Sequence, residues 1–139
     1  MPDHHVADDP AILDDELLLR RLRPDWIVPG ERGRMRIASA AFKHEELSVL
    51  FRSLLRQQRR SDSDVLRDYP DDSLCSFTAG LARSLGQRVV YDTEPPNDPA
   101  HGLVVGKKRQ SDANRLAREA KWVIPPEPPV LADQKQPGN

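Results

Sequence analysis

The sequence is poor in several features, and each shortage excludes a class of protein. It has 1 cysteine among 139 residues, so no internal disulfide can form and we expect the reducing cytoplasm as its location. No apolar run approaches the roughly 20 residues that a bilayer-spanning helix needs, so we predict no membrane span. Residues 1–10 are acidic and polar, which is not the pattern of a secretory signal. Aromatic residues make up 5% of the chain, which leaves few rings for stacking on nucleic-acid bases.

Metal-binding and cofactor-binding motifs are also missing. His4 and His5 are adjacent, whereas His44 and His101 are isolated, and no H-E-x-x-H motif, paired C-x-x-C motif or calcium loop is present. The glycines before Lys107 match neither a phosphate-binding loop nor a dinucleotide fingerprint. We therefore predict no metal and no cofactor.

Charge is abundant and strongly segregated, although the formal net charge is only -1. Residues 1–19 carry six acids and no Lys or Arg, and residues 20–60 carry eleven bases against four acids. Residues 61–100 carry eight acids against three bases, and residues 101–121 carry six bases against two acids. Two interpretations follow: the blocks pair with one another inside the fold, or a basic face meets an anionic partner.

The pattern of apolar and turn residues predicts a single α+β domain over residues 14–124. We expect three to four helices and a small sheet of short strands. Residues 1–13 are polar and are predicted to form a disordered leader. Residues 125–139 hold five of the 13 prolines and are predicted to form a disordered tail.

Four segments carry helix signals. The strongest covers residues 43–59, where five apolar side chains recur at the spacing of one helix face: Leu47, Leu50, Phe51, Leu54 and Leu55. A capping carboxylate at residue 14 or 15 predicts a helix that ends before Pro24. Thr78 is placed to cap a third helix, and Ser111 or Asp112 a fourth. The apolar face of the fourth is predicted to contain Leu116, Ala117, Ala120 and Trp122.

Strand signals are shorter. Residues 74–77, 88–91 and 103–105 are short apolar runs and predict strands, with a rigid acidic loop over residues 92–99. Residues 33–42 alternate in polarity and predict a strand or an extended arm.

Several short motifs occur together: Arg23–Pro24, Arg36–Ile37–Ala38–Ser39–Ala40–Ala41–Phe42, Leu47–Ser48–Val49, Gly80, Arg83, Leu85–Gly86, Asn97–Asp98–Pro99–Ala100–His101 and Val104–Val105–Gly106–Lys107. In these motifs the chain resembles a family of small uncharacterised bacterial proteins, and the likeness covers roughly residues 20–122. The family pattern has Asn directly before Pro–Ala–His, so Asp98 has the place of an insertion. The resemblance carries no enzyme or cofactor signature and implies no activity. It directs attention to Ser39, Phe42 and His101.

His101 is the leading candidate for catalysis. It stands where a proline-rich loop enters a predicted strand, and Asp92 is near enough in sequence to orient its ring as an acid or base. With Ser39, these residues supply the types found in a hydrolase triad, although no Gly-x-Ser-x-Gly elbow surrounds Ser39. The alternative is a structural histidine whose ring bonds to the backbone and fixes the loop. Cys75 lies in an apolar run without a basic neighbour in sequence, and we expect it to be buried and inert.

Binding residues are predicted in two basic clusters and two aromatic patches. The first cluster lies at the end of the strongest predicted helix, on one side: Arg52, Arg56, Arg59 and Arg60. The second follows the last predicted strand: Lys107, Lys108, Arg109, Arg115 and Arg118. Trp26 and Trp122 mark the two apolar patches that could contact a partner.

These observations favour a non-catalytic protein-binding or accessory module of a bacterial cytoplasmic system. A small enzyme or nucleotide-binding protein centred on His101 is the alternative hypothesis. Nucleic-acid binding through the Arg52–Arg60 helix face is the third, and the chain's pI of about 6.4 speaks against it. We expect no membrane partner.

Overall fold

A computed structural model describes residues 6–127, which form one large antiparallel sheet, one small hairpin and three α-helices. The strands are β1 (Leu17–Leu22), β2 (Ile27–Pro29), β3 (Met35–Ile37), β4 (Glu46–Phe51), β5 (Ser73–Thr78), β6 (Arg88–Tyr91), β7 (His101–Val105) and β8 (Lys121–Ile124). The helices are α1 (Arg52–Gln57), α2 (Ala79–Ser84) and α3 (Gln110–Glu119). Within residues 6–127, every helix is too short or too polar to cross a bilayer.

The large sheet has six strands in the order β6-β7-β4-β1-β5-β8, and each neighbouring pair is antiparallel. β2 and β3 pair separately as a two-stranded hairpin. This arrangement confirms the predicted α+β class. The sheet is larger than predicted because three segments expected to be helical contribute strands, namely β1, β4 and β8.

The helix predicted to begin at residue 14 or 15 is wrong, because Leu17–Leu22 forms β1 in the interior of the sheet. Leucine favours helices in isolation, but β1 pairs along its whole length with β5. Burial between two neighbouring strands outweighs the local preference.

The helix predicted over residues 43–59 is wrong in its first half. β4 occupies Glu46–Phe51, and only Arg52–Gln57 is helical. Leu47, Val49 and Phe51 are buried at alternate positions, which is the period of a strand. The same stretch also satisfies helical spacing, because Leu50 is apolar as well and joins Leu47 and Phe51 in a helical pattern.

Other predicted elements are confirmed. β5, β6 and β7 lie where strands were expected, and the Thr78 hydroxyl accepts a hydrogen bond from the Leu81 N–H at 3.0 Å to begin α2. The predicted strand over residues 33–42 is limited to β3 and is followed by a 3-10 turn over Ser39–Phe42. α3 ends at Glu119, so Trp122 belongs to β8 rather than to the helix.

The core covers mainly one face of the sheet. Leu18, Leu47, Phe51 and Val104 are fully buried on that face. The elements that cover them supply a second set of buried side chains: Ile12, Ile37, Phe42, Ala82, Ala113 and Leu116. A smaller cluster occupies the opposite face: Leu19, Leu55, Val65, Leu74 and Ala100.

The segment before β1 is packed against the domain where the structure describes it. Ile12 is buried, and the Asp8 carboxylate accepts hydrogen bonds from the Arg83 Nε (3.0 Å) and the Val89 N–H (2.8 Å). These contacts lie within the leader that the sequence predicts to be disordered. Residues 1–5 of that leader and residues 128–139 of the predicted tail lie outside the described residues.

β1 and β4 separate after two pairs, Leu18 with Phe51 and Leu19 with Leu50. The Arg20 side chain bridges the opening beyond them. Its Nη1 donates to the Ser48 carbonyl at 3.0 Å, and its Nε and Nη2 donate to the Ala41 carbonyl at 3.2 and 3.0 Å. The guanidinium therefore gives the Ser48 carbonyl a donor that an adjoining strand would otherwise supply, and it ties β4 to the 3-10 turn that contains Ala41.

Candidate functional site

A groove of about 510 Å³ lies between the β2–β3 hairpin and α3, and we call it the α3 groove. Three elements supply most of its walls: Met35, Arg36, Ile37, Ala117, Arg118 and Trp122. Met35 and Trp122 are half-buried, whereas Arg36 and Arg118 are exposed. The groove thus combines an accessible apolar wall with two arginines.

Local hydrogen bonds fix the position of α3 beside the hairpin. The buried Asp112 carboxylate accepts from the Arg109 N–H at 3.0 Å and from the Arg109 Nε at 3.2 Å. These hydrogen bonds lower the pKa of Asp112 below its ordinary value. Gln110 donates to the Ser39 hydroxyl at 3.0 Å and so joins the first turn of α3 to the turn that follows β3.

The two arginines of the α3 groove carry uncompensated charge. Among residues 6–127, no carboxylate lies within ion-pair distance of Arg36 or Arg118. Arg115, on the same helix as Arg118, is paired with Glu119. The groove is therefore a local source of positive potential on a nearly neutral chain.

The first predicted basic cluster is largely neutralised inside the fold. The Arg52 guanidinium lies 2.8 Å from the Asp62 carboxylate, and the Arg56 guanidinium lies 3.3 Å from the same group. Arg60 makes two hydrogen bonds to Asp98, at 2.8 and 2.6 Å, which lower the pKa of Asp98. The acidic block of residues 61–100 thus compensates much of this face, as the internal-pairing interpretation requires.

The remaining predicted basic residues do not form one surface. Arg59 is exposed but lies beyond the end of α1, with a left-handed φ of 58°. Lys107 is exposed and Arg109 is paired with Asp112, whereas Lys108 is buried. Lys108 is consequently a structural residue rather than a contact for a partner.

Trp26, which the sequence predicts to mark a patch for a partner, is half-buried among side chains of the domain. The Arg20 and Arg23 guanidinium carbons lie 5.0 and 4.5 Å from the centre of its ring, and His44 meets it edge-on at 5.8 Å. These cation–π contacts use the ring within the fold. Of the two predicted aromatic contacts, Trp122 is the one that lies in the α3 groove.

His101 is held by Asp92, as its sequence position suggests. Its Nδ1 lies 3.1 Å from the Asp92 backbone carbonyl and 3.1 Å from an Asp92 carboxylate oxygen. Asn97 donates to that same oxygen at 3.0 Å and fixes the carboxylate within the loop. The ring therefore bonds both to loop backbone and to a carboxylate, and its Nε2 is left for other contacts.

The structure does not bring Ser39, the third residue of the predicted catalytic set, to the same cavity as His101. Ser39 lines the α3 groove and accepts from Gln110, whereas His101 lines a different cavity. Lys107 lies past the end of β7 opposite to His101. Because a strand rises about 3.3 Å per residue, the length of β7 separates the two residues. Cys75 is buried beside Arg20, and burial raises the pKa of its thiol to about 12, which suits an inert side chain.

Sequence reasoning did not single out two arginines: Arg36, which lines the α3 groove, and Arg20, which bridges the opening between β1 and β4. Arg36 was one of many bases in the block of residues 20–60, and nothing in the sequence separates it from those that find carboxylates. Arg20 was assigned to a helix end, whereas the structure buries it at 7% exposure. The one available signal was an excess of bases over acids in that block, and it does not say which bases find a carboxylate elsewhere in the chain.

Ligating side chains are also dispersed: across residues 6–127, no three His, Cys, Asp or Glu residues are grouped as a metal site would require. In comparisons with known proteins, no protein-family model, no curated protein and no solved structure matches the chain.

Proposed function

We propose that this protein is a non-catalytic accessory module of the bacterial cytoplasm that binds an acidic segment of a protein partner in the α3 groove. The observation that carries the proposal is the pair of uncompensated arginines, Arg36 and Arg118, in the same groove as a half-buried tryptophan, Trp122. A peptide with carboxylates next to an apolar side chain is complementary to both features.

The charge of the groove favours an anionic partner. Arg36 and Arg118 belong to the arginines of the described chain that have no carboxylate within ion-pair distance, and they are the two of that set that line the α3 groove. The others are Arg20, Arg32, Arg34 and Arg59. Arginine is enriched at protein interfaces because its planar guanidinium binds a carboxylate through two hydrogen bonds. Opposite charge on the partner would speed association as well as select the partner.

The apolar wall favours a peptide over a nucleic acid. Met35 and Ala117 line the same groove as the two arginines, so an apolar side chain of a peptide would gain contacts there that a phosphate chain would not. Nucleic-acid binding needs a longer basic track, and the predicted one on α1 is neutralised by Asp62.

Binding of a defined peptide tests the proposal. The probe is a short fluorescein-labelled peptide of repeating Glu, Asp and Leu, measured by fluorescence anisotropy beside its Gln–Asn–Leu counterpart and a labelled oligothymidylate. We expect the acidic peptide alone to bind. The Arg36→Ala/Arg118→Ala double variant should weaken that binding by at least about tenfold.

A matched double variant, Arg52→Ala/Arg56→Ala, removes the same number of arginines from the neutralised face and should bind like the native chain. Equal weakening by both double variants would show a non-specific charge effect and overturn the assignment of the groove. Tighter binding of oligothymidylate than of the acidic peptide would replace the proposal with nucleic-acid recognition.

A further inference from the structure

A second cavity, of about 400 Å³, opens where β1 and β4 separate, and we call it the strand cleft. Leu19 and Leu50 line it at the last pair that joins the two strands, and Arg20, Trp26 and His101 line it as well. No residue lines both this cleft and the α3 groove. The strand cleft is thus independent of the function proposed above.

Arg20 carries a buried charge in this cleft. Its side chain belongs to a residue with 7% exposure, and no carboxylate among residues 6–127 lies within ion-pair distance of it. Desolvation by burial lowers the pKa of Arg20 to about 10. A buried cation without a counter-ion is costly for a fold to keep, and buried charges are ordinarily paired.

The guanidinium retains donor capacity. A guanidinium has five N–H groups. Three of them donate to the Ala41 and Ser48 carbonyls, and one on Nη2 meets the His44 Nδ1 at 3.4 Å. That leaves one hydrogen on Nη1, which is the nitrogen already directed to Ser48 beside the cleft.

The other charged groups facing the cleft are largely compensated by ion pairs, some of them with residues outside the cleft. The basic side chains pair with carboxylates, at 3.2 Å for Arg21 with Asp72, 2.8 Å for Arg23 with Asp25, and 2.6 Å for Arg60 with Asp98. Two carboxylates complete the set: Asp64 pairs with Arg67 at 2.6 Å, and Asp68 is exposed. Arg20 is therefore the buried, uncompensated charge of the strand cleft.

We propose that the strand cleft binds a small ligand through an anionic oxygen group, a phosphate or a carboxylate, with the Arg20 guanidinium as its anchor. His101 lines the same cleft, and its Nδ1 is held by Asp92, which leaves Nε2 as the ring nitrogen for a second contact. Leu19 and Leu50 offer an apolar wall for the rest of the ligand.

The test uses protein labelled with ¹⁵N at arginine and follows the guanidinium Nε signals by NMR. Sodium phosphate and sodium acetate are titrated separately at constant ionic strength, with chloride as the replaced anion. We expect the Arg20 signal to shift and saturate by about 10 mM with at least one of the two anions. The signal of Arg109, which is exposed and paired with Asp112, should drift without saturation.

Saturation with both anions identifies recognition of the bare anionic oxygen group. Saturation with phosphate alone or acetate alone identifies the ligand as a phosphate ester or a carboxylic acid. Each of these results supports the site. An Arg20 signal that only drifts as Arg109 does, with both anions, overturns it.

A blocking variant separates the cleft from the arginine itself. Ser48→Trp fills the exposed rim but retains the backbone carbonyl that Arg20 contacts, so the fold and the guanidinium stay in place. It should weaken anion binding by at least about tenfold. Ser84→Trp adds the same ring at an exposed position on α2 and should leave binding unchanged. Saturation of the Arg20 signal that is unchanged in Ser48→Trp would show that the anion binds outside the cleft and would overturn the proposal.

Discussion

Because of Lys108, the free energy of unfolding should rise between neutral and alkaline pH. The residue is 8% exposed, and its ammonium group donates to the carbonyls of Glu45 (3.3 Å), Val104 (3.1 Å) and Gly106 (2.9 Å). Burial lowers the pKa of Lys108 from an ordinary value of 10.5 to about 8. The folded chain consequently loses this proton at a pH where the unfolded chain still holds it.

The sign of the effect follows from proton linkage. Where the unfolded state binds more protons than the folded state, the free energy of unfolding increases with pH. For pKa values of about 8 folded and 10.5 unfolded, this one group adds about 2 kcal/mol to that free energy between about pH 7 and about pH 9.5. The gain accrues between the two pKa values, about 8 and 10.5, and is complete above 10.5.

The assay is urea unfolding followed by circular dichroism at those two pH values, on the native chain and on Lys108→Met. Methionine keeps most of the apolar stem and does not titrate, so the difference between the two chains isolates Lys108. The shifted pKa of Cys75 is common to both chains and cancels. The pKa of His44 depends in part on Lys108, but it is lowered from 6.5 and so lies below the pH range of the assay. A pH-dependent gain that is the same in both chains, within about 0.5 kcal/mol, would refute the reasoning.

Two further substitutions test the packing of the sheet and the start of a helix by the same urea assay. Gly102→Ala should destabilise the fold by at least about 2 kcal/mol, because the added Cβ would lie 2.8 Å from the Val90 carbonyl oxygen and would overlap the edge of the Phe51 ring. A loss below about 0.5 kcal/mol would show that the ring moves aside freely. Thr78→Val should lower the free energy of unfolding by about 1 kcal/mol, because it removes the hydroxyl that caps α2. Thr78→Ser keeps a hydroxyl and should retain most of that stability. Equal stability of the valine and serine variants would show that the cap contributes nothing.

The sequence predicts an element correctly where its local pattern fits only one type of secondary structure. The runs at residues 74–77 and 88–91 lie between clear turn residues and were identified as strands, because no helical pattern competes with them. At residues 46–51, by contrast, apolar side chains satisfy both periods, and only the presence of β7 and β1 on either side decides for the strand. Pairing of strands distant in sequence carries no local signal, so β1 was assigned to a helix.

For the candidate site, contacts between residues near in sequence could be predicted, and contacts between distant residues could not. The Asp92–His101 contact was predicted because both residues border one loop, and nearness in sequence made them neighbours in space. The pairing of Arg52 with Asp62 also spans a short distance along the chain. The meeting of Arg36 with Arg118, more than half the chain apart, is set by the packing of α3 against the hairpin. No motif reports that packing before the fold is known.

The opening between β1 and β4 also has a consequence for how the chain folds. It divides the sheet into two three-stranded halves, one of β6, β7 and β4 and one of β1, β5 and β8. Neither half is continuous in sequence, since the chain alternates between them from β1 to β8. Neither half can therefore assemble from a single stretch of chain, and each requires loops to close over long separations. Such a topology predicts slow, all-or-none folding and little tolerance of truncation at either end of the sheet.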